Sequence, residues 1–95
     1  MNVHVLETVD AEIAAEARGA FDAIVRDIRI ATDSVPSLQR DADKAILLAA
    51  AAFGALGDEV REHAWQRLVR RLRPVAMLTQ SQPLLDFVRE NADLL

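Results

Sequence analysis

The chain lacks cysteine and tyrosine altogether, and among its 95 residues it has three glycines, three prolines and a single lysine. Without cysteine it has no disulfide bond, no thiol nucleophile and no thiolate metal site. The glycines are widely spaced and form no phosphate-binding loop, and no motif predicts a cofactor. The longest apolar run, residues 45–56, is shorter than the roughly 18 residues that span a bilayer. Because the first residues also show no secretory leader, we expect a cytoplasmic protein.

What is present is the composition of a globular domain. Hydrophobic residues make up 52% of the chain and charged residues 27%, a mixture typical of packed rather than disordered proteins. The length predicts one helical domain, residues 1–95. Aromatic residues make up only 4%, so the core must be built from alanine, leucine, isoleucine and valine. The excess of arginine over lysine, with many alanines and aspartates, indicates a GC-rich bacterial genome.

Apolar residues recur at helical spacing along most of the chain. This pattern predicts an all-α fold, a compact bundle of about four helices. Apolar residues at helical spacing from Ile13 onward predict a first helix that ends near Thr32 and that Thr8 or Asp10 can cap at its start. Before it, Val3 and Val5 alternate with polar residues, which predicts a short strand or an arm over the first six residues.

The second helix is the most apolar part of the chain. It begins at Ser37 or Asp41 and runs to about Leu56, and residues 45–56 contain no polar side chain. A helix that is apolar all round must be surrounded, either by the other helices or by a partner. We therefore place it at the centre of the bundle. We also expect Leu48→Asp to unfold the protein, because it would bury an unpaired charge.

The third helix follows a very short turn at Gly57 and covers residues 59–73. Pro74 should end it, because proline disfavours the helical conformation in the residue before it. Residues 74–82 then form a connector to the last helix.

Ser81 can cap the last helix, with Pro83 in its first turn. This helix has more apolar surface than one packed face requires. Leu84, Phe87 and Val88 are therefore candidates for burial against a second chain in a homodimer. The alternative is that they complete the core around the second helix.

A cluster of arginines on the third helix is the least ordinary feature. Arg67, Arg70, Arg71 and Arg73 have no aspartate or glutamate three or four residues before them. One interpretation is favourable placement of cations at the end of a helix, and another is pairing with the acidic first helix. The functional interpretation is a face that docks an acidic partner protein or phosphate.

Nucleic-acid binding through the same arginines is the main alternative. It rests on the basic patch alone, because the formal net charge of −4 has the wrong sign. The second helix is also too long and apolar for the first helix of a helix-turn-helix.

His63, on the polar face of the third helix, leads to a third alternative. In size and helix content the chain is similar to the histidine phosphotransfer domains of bacterial phosphorelays. That family places a lysine and then a glycine one turn after the histidine, whereas Gln66 and Arg67 stand here. The resemblance would place phosphate on His63. The sequence predicts no metal site, because Glu59 and His63 supply only two ligands where zinc needs three or four.

No catalytic motif emerges from the sequence. We therefore expect a non-enzymatic protein-interaction, regulatory or adaptor module that is homodimeric. Its arginine face would dock an acidic partner, with no membrane, metal or cofactor involved.

Overall fold

The structure, a computed structural model, describes the backbone of residues 3–54 and 58–94, and the side chains of residues 12, 15–54 and 61–94. Within these ranges the chain has no strand. It forms four α-helices and two short 3₁₀ turns, Pro36–Leu38 and Ala92–Leu94. The helices are α1 (Val3–Thr32), α2 (Gln39–Phe53), α3 (Asp58–Thr79) and α4 (Gln82–Glu90). The predicted all-α bundle of about four helices is confirmed.

Helix α2 lies in the middle of the bundle, as the sequence predicted. It packs along α1 on one side and along α3 on the other, whereas α1 touches α3 and α4 at few points. Helix α4 packs along α3. The side of α2 that faces inward is a row of buried alanines at helical spacing: Ala42, Ala45, Ala49 and Ala52. Because alanine has the smallest apolar side chain, this row lets α1 and α3 approach the α2 backbone closely.

Larger side chains from the other helices fill the core around these alanines. Ile28, Leu68, Leu72 and Leu84 are each 0% exposed, and Val75 is 1% exposed. Burying one such side chain stabilises the fold by about 1.5–3 kcal/mol. The fold is thus held by branched side chains from α1, α3 and α4 packed onto a small-residue surface of α2.

The other helices do not enclose α2 completely. Leu47 is 71% exposed and Ala50 is also exposed, so part of its apolar surface remains open. Leu48 is only half-buried. A charge at Leu48 would therefore be buried only in part, so the unfolding of Leu48→Asp stays a prediction. The alanines beside it occupy the central positions.

Helix α1 starts earlier than the sequence analysis placed it. It begins at Val3, so the predicted cap at Thr8 or Asp10 and the predicted strand at Val3 and Val5 are both wrong. Two alternating valines are too short a pattern to define a strand. No proline interrupts the following residues up to Thr32, so nothing prevents the helix from extending backward.

Helix α3 continues through Pro74 to Thr79, so the predicted end at residue 73 and the connector over residues 74–82 are wrong. The proline leaves the carbonyl of Arg70 without its helical donor, but both residues are exposed and water can reach that carbonyl. Val75 and Ala76, each 1% exposed, hold the next turn against the core. Packing of these two residues outweighs the local cost of the proline.

The start of α4 has the cap and the proline that the sequence predicted. Gln80 ends α3 in the left-handed region with φ 55°, as is common at helix ends. Ser81 then caps α4: its side-chain oxygen accepts a hydrogen bond from the backbone N–H of Leu84 at 3.5 Å. Pro83 lies in the first turn of α4, where its missing N–H costs nothing.

Helix α1 is longer than the bundle that it belongs to. Its 30 residues span about 45 Å, whereas the 15 residues of α2 span about 22 Å. Phe21 meets Phe53, the last residue of α2, with ring centroids 6.2 Å apart, so the residues before Phe21 run past the end of α2. We call helical residues 3–20 the N-terminal arm. This helix sets the longest dimension of the molecule, which measures 53 × 24 × 21 Å.

Candidate functional site: the outer face of α3

The surface of α3 that points away from the bundle combines arginine with exposed apolar side chains. Because α3 continues through the proline, residues 67, 70, 74, 77 and 78 fall on one stripe at helical spacing. Met77 is 59% exposed and Leu78 is 72% exposed. Arg67, Arg70 and Pro74 are exposed as well. We call these five residues the outer face of α3; they extend over about 17 Å of helix.

Two of these arginines are not neutralised within the described structure. Arg67 and Arg70 form no ion pair with any residue whose side chain is described. Arg73 is likewise exposed and unpaired among these residues. It lies roughly 90° around the helix from the middle of the outer face. The positive charge available to a partner therefore concentrates at Arg67 and Arg70.

Arg71 has a partner inside the fold. Its Nη1 atom lies 3.3 Å from Oδ1 of Asp41, on α2. For Arg71, the interpretation that these arginines pair with another helix of the bundle is therefore correct in kind, although the helix differs. The suggested partner was the first helix, whereas the observed carboxylate comes from the second.

We expect Arg71→Ala to lower the free energy of unfolding by only about 0.2–1 kcal/mol, because the ion pair is partly solvated. The Arg71 side chain is 35% exposed and that of Asp41 is 39% exposed. Urea denaturation of Arg71→Ala, Asp41→Ala and the double variant would give the coupling energy. Arg73→Ala, at an exposed position of the same helix outside the outer face, serves as the matched control and should leave stability unchanged. A coupling energy of zero would contradict the contact.

The three apolar candidates of the last helix lie against the protein's own core. Leu84 is 0% exposed, while Phe87 and Val88 are half-buried and pack against the core cluster. Leu84 has no surface left for a second chain. Leu84 therefore belongs to the alternative that the sequence had left open, completion of the core, whereas burial of Phe87 and Val88 against a second chain stays a prediction.

Phe87 also belongs to a layer that sequence reasoning missed. Each helix contributes one aromatic residue, and their ring centroids follow one another at 6.2, 5.1 and 5.7 Å. In order these residues are Phe21, Phe53, Trp65 and Phe87. The presence of one aromatic residue per predicted helix was the available signal. This aromatic layer closes the end of the bundle from which the N-terminal arm extends.

A hydrogen bond fastens the end of α4 to this layer. The indole Nε1–H of Trp65 donates to Oδ1 of Asn91 at 3.1 Å. The amide of Asn91 in turn donates to the carbonyl of Phe87 at 2.8 Å. Together the two contacts hold the residues around Asn91 against α3.

The remaining candidates do not assemble into a chemical site in the described part of the chain. His63 is exposed, and the side chain of its suggested metal co-ligand, Glu59, lies outside the described residues. Among the side chains that are described, no three histidines or carboxylates lie together as metal ligands. A shallow depression beside Trp65 is lined by Arg61, Glu62 and Leu94. The arginine and apolar stripe is therefore the most distinctive surface.

Over the residues that the structure describes, no helix is both long enough and apolar enough to cross a membrane.

Comparison with known proteins finds no matching family model, no matching curated protein and no matching solved structure.

Proposed function

We propose that this chain is a non-enzymatic protein-interaction module that binds an acidic partner surface through the outer face of α3. The observation that supports the proposal is the position of Arg67 and Arg70 on the same stripe as exposed Met77 and Leu78. A cytoplasmic location, a bacterial origin and a regulatory or adaptor role remain parts of this proposal.

The two kinds of side chain on this face suit a protein partner. Arginine and methionine are enriched in protein interfaces relative to the rest of the surface. A guanidinium group can hold a carboxylate through two parallel hydrogen bonds, and burial of Met77 and Leu78 would add the hydrophobic contribution that an ion pair in water lacks. We expect the partner surface to present carboxylates beside apolar side chains.

The same composition weighs against nucleic acid as the partner. A phosphate backbone would engage Arg67 and Arg70 but would leave Met77 and Leu78 exposed to water, and the net charge of −4 repels it at longer range. Nucleic-acid binding is therefore an alternative outcome of the test.

The test is a pull-down with the tagged chain from a nuclease-treated lysate of its own organism, comparing wild type with Arg67→Glu/Arg70→Glu. We expect a specific protein, identified by mass spectrometry, to be recovered with wild type and lost with the variant. The loss follows because charge reversal turns two attractive contacts into repulsive ones.

Arg29→Glu/Arg40→Glu is the matched control, since it changes the net charge by the same amount at exposed positions on other helices. It should retain the partner. Equal recovery with wild type and with Arg67→Glu/Arg70→Glu would contradict the proposal. Recovery of nucleic acid alone, before nuclease treatment, would favour the alternative.

A further inference from the structure

We propose that the acidic surface bound by the outer face of α3 is the N-terminal arm of a second copy of this chain, in a reciprocal homodimer. This inference rests on the proposed function and names its partner. Three features support it: the exposure of the arm, its charge, and its position relative to the aromatic layer.

The N-terminal arm is a helix without a neighbour along much of its described length. Glu12, Ala15, Glu16 and Ala20 are exposed. A Cβ atom built on Gly19 would meet nothing within 4 Å. An isolated helix of this length is only marginally stable in water, so a packing partner would stabilise the arm.

The charges of the arm complement the outer face of α3. Its sequence contains the acids Glu7, Asp10, Glu12 and Glu16 against a single arginine, Arg18. Pairing of two arms with each other would therefore bring like charges together. Docking of the arm on Arg67 and Arg70 would bring opposite charges together.

The arm cannot reach the outer face of its own α3. Measured from the aromatic layer, the arm runs away from the bundle, because it precedes Phe21 and passes the end of α2. The outer face runs in the opposite direction, from the layer at Trp65 back along the bundle to Leu78. Only the arm of another molecule can lie along this face.

A two-fold axis perpendicular to the bundle would bring the two surfaces together. This axis turns the arm of the second copy by 180°, so that the arm runs back along α3 of the first copy. By the same symmetry, the arm of the first copy docks on α3 of the second. Glu16 lies five residues before Phe21, and Arg70 lies five residues after Trp65. With the aromatic layers of the two copies level, each of these residues sits about 7.5 Å from the layer, so both lie at the same level along the interface.

The length of the arm is also sufficient. Its helical residues 3–20 span about 27 Å, and the outer face from residue 67 to residue 78 spans about 17 Å. A dimer formed in this way would bury Met77 and Leu78 twice, once in each copy.

The test is a charge exchange between full-length chains, followed by sedimentation velocity over a range of concentrations at low ionic strength. We expect wild type to dimerise. Glu12→Arg/Glu16→Arg and Arg67→Glu/Arg70→Glu should each raise the dimer Kd by at least about a hundredfold, because each creates repulsion at both interfaces. A mixture of the two variants should form a one-to-one dimer, since every reversed arm then meets a reversed face.

Two control variants separate this effect from net charge. Asp33→Arg/Asp43→Arg has the same net charge as the arm variant, and Arg29→Glu/Arg40→Glu has the same net charge as the face variant; all four residues are exposed. Both controls should dimerise as wild type does. Circular dichroism on every variant establishes that the helices are intact.

A monomeric wild type, a dimer that survives either reversal, or a mixture that stays monomeric would each overturn the inference. None of these outcomes decides the proposed function. That proposal fails only if no protein recovered in the pull-down is lost with Arg67→Glu/Arg70→Glu. The recovered protein can be a second copy of this chain or a different protein.

Discussion

Leu72→Asp should abolish folding. Leu72 is 0% exposed and belongs to the core that α3 forms with α2 and α4. Removal of a buried leucine side chain alone costs about 2–5 kcal/mol, and a carboxylate buried without a partner adds several kcal/mol more. Domains of this size have a total stability of about 5–15 kcal/mol, so the sum removes most or all of it. Far-ultraviolet circular dichroism should show loss of helix, and the cooperative thermal transition should disappear.

The matched control is Leu47→Asp, which places the same residue change on α2. Leu47 is 71% exposed, so the new carboxylate stays in water. We expect the free energy of unfolding to change by less than about 1 kcal/mol, mostly through the lower helix propensity of aspartate. A large loss of stability in Leu47→Asp, or a normal transition in Leu72→Asp, would contradict the packing described above.

This contrast shows what the apolar sequence of α2 could predict and what it could not. The run over residues 45–56 placed the helix correctly between its neighbours. It did not distinguish Ala49, which is 0% exposed, from Leu47, which is 71% exposed, because a uniformly apolar helix has no polar side to orient it. Orientation depends on the neighbouring helices, and here the smallest residues face them.

The helix ends show a similar division between local and tertiary information. The cap at Ser81 and the proline at position 83 were predictable, because capping depends on residues close in sequence. The continuation of α3 past Pro74 was not, since it depends on Val75 and Ala76 packing against distant parts of the chain. The start of α1 was missed because no proline or strong cap defines it.

The candidate site could be predicted only in part for the same reason. Arg67 and Arg70 were identified from their helical position and charge. Met77 and Leu78 were assigned to a connector, and only the continuous α3 places them on the same stripe. The partner of Arg71, Asp41, is 30 residues away in sequence, and no local pattern indicates such a contact.

Pro74→Ala should stabilise the protein. The substitution restores the backbone N–H that can donate to the carbonyl of Arg70, and it removes the clash of the proline ring with that carbonyl. Alanine is favoured over proline by about 3 kcal/mol in a helix interior. The unfolded chain gains conformational entropy when the proline is replaced, and this offsets about 0.4–1 kcal/mol of the stabilisation. Because α3 already accommodates the proline, we expect a net gain of about 1–3 kcal/mol. The midpoint of thermal unfolding should rise by roughly 4–8 °C for each kcal/mol.

Pro83 provides the control for this prediction. Pro83 lies in the first turn of α4, where no helical donor is missing and the fixed φ angle favours the helix. Pro83→Ala should therefore be neutral or should lose up to about 1 kcal/mol. If Pro74→Ala and Pro83→Ala change stability in the same direction and by the same amount, the proline in α3 is not an interior position, and the helix ends before it. Loss of stability in Pro74→Ala would lead to the same conclusion. It would also separate Met77 and Leu78 from the two arginines, because the outer face of α3 exists only if the helix is continuous through Pro74.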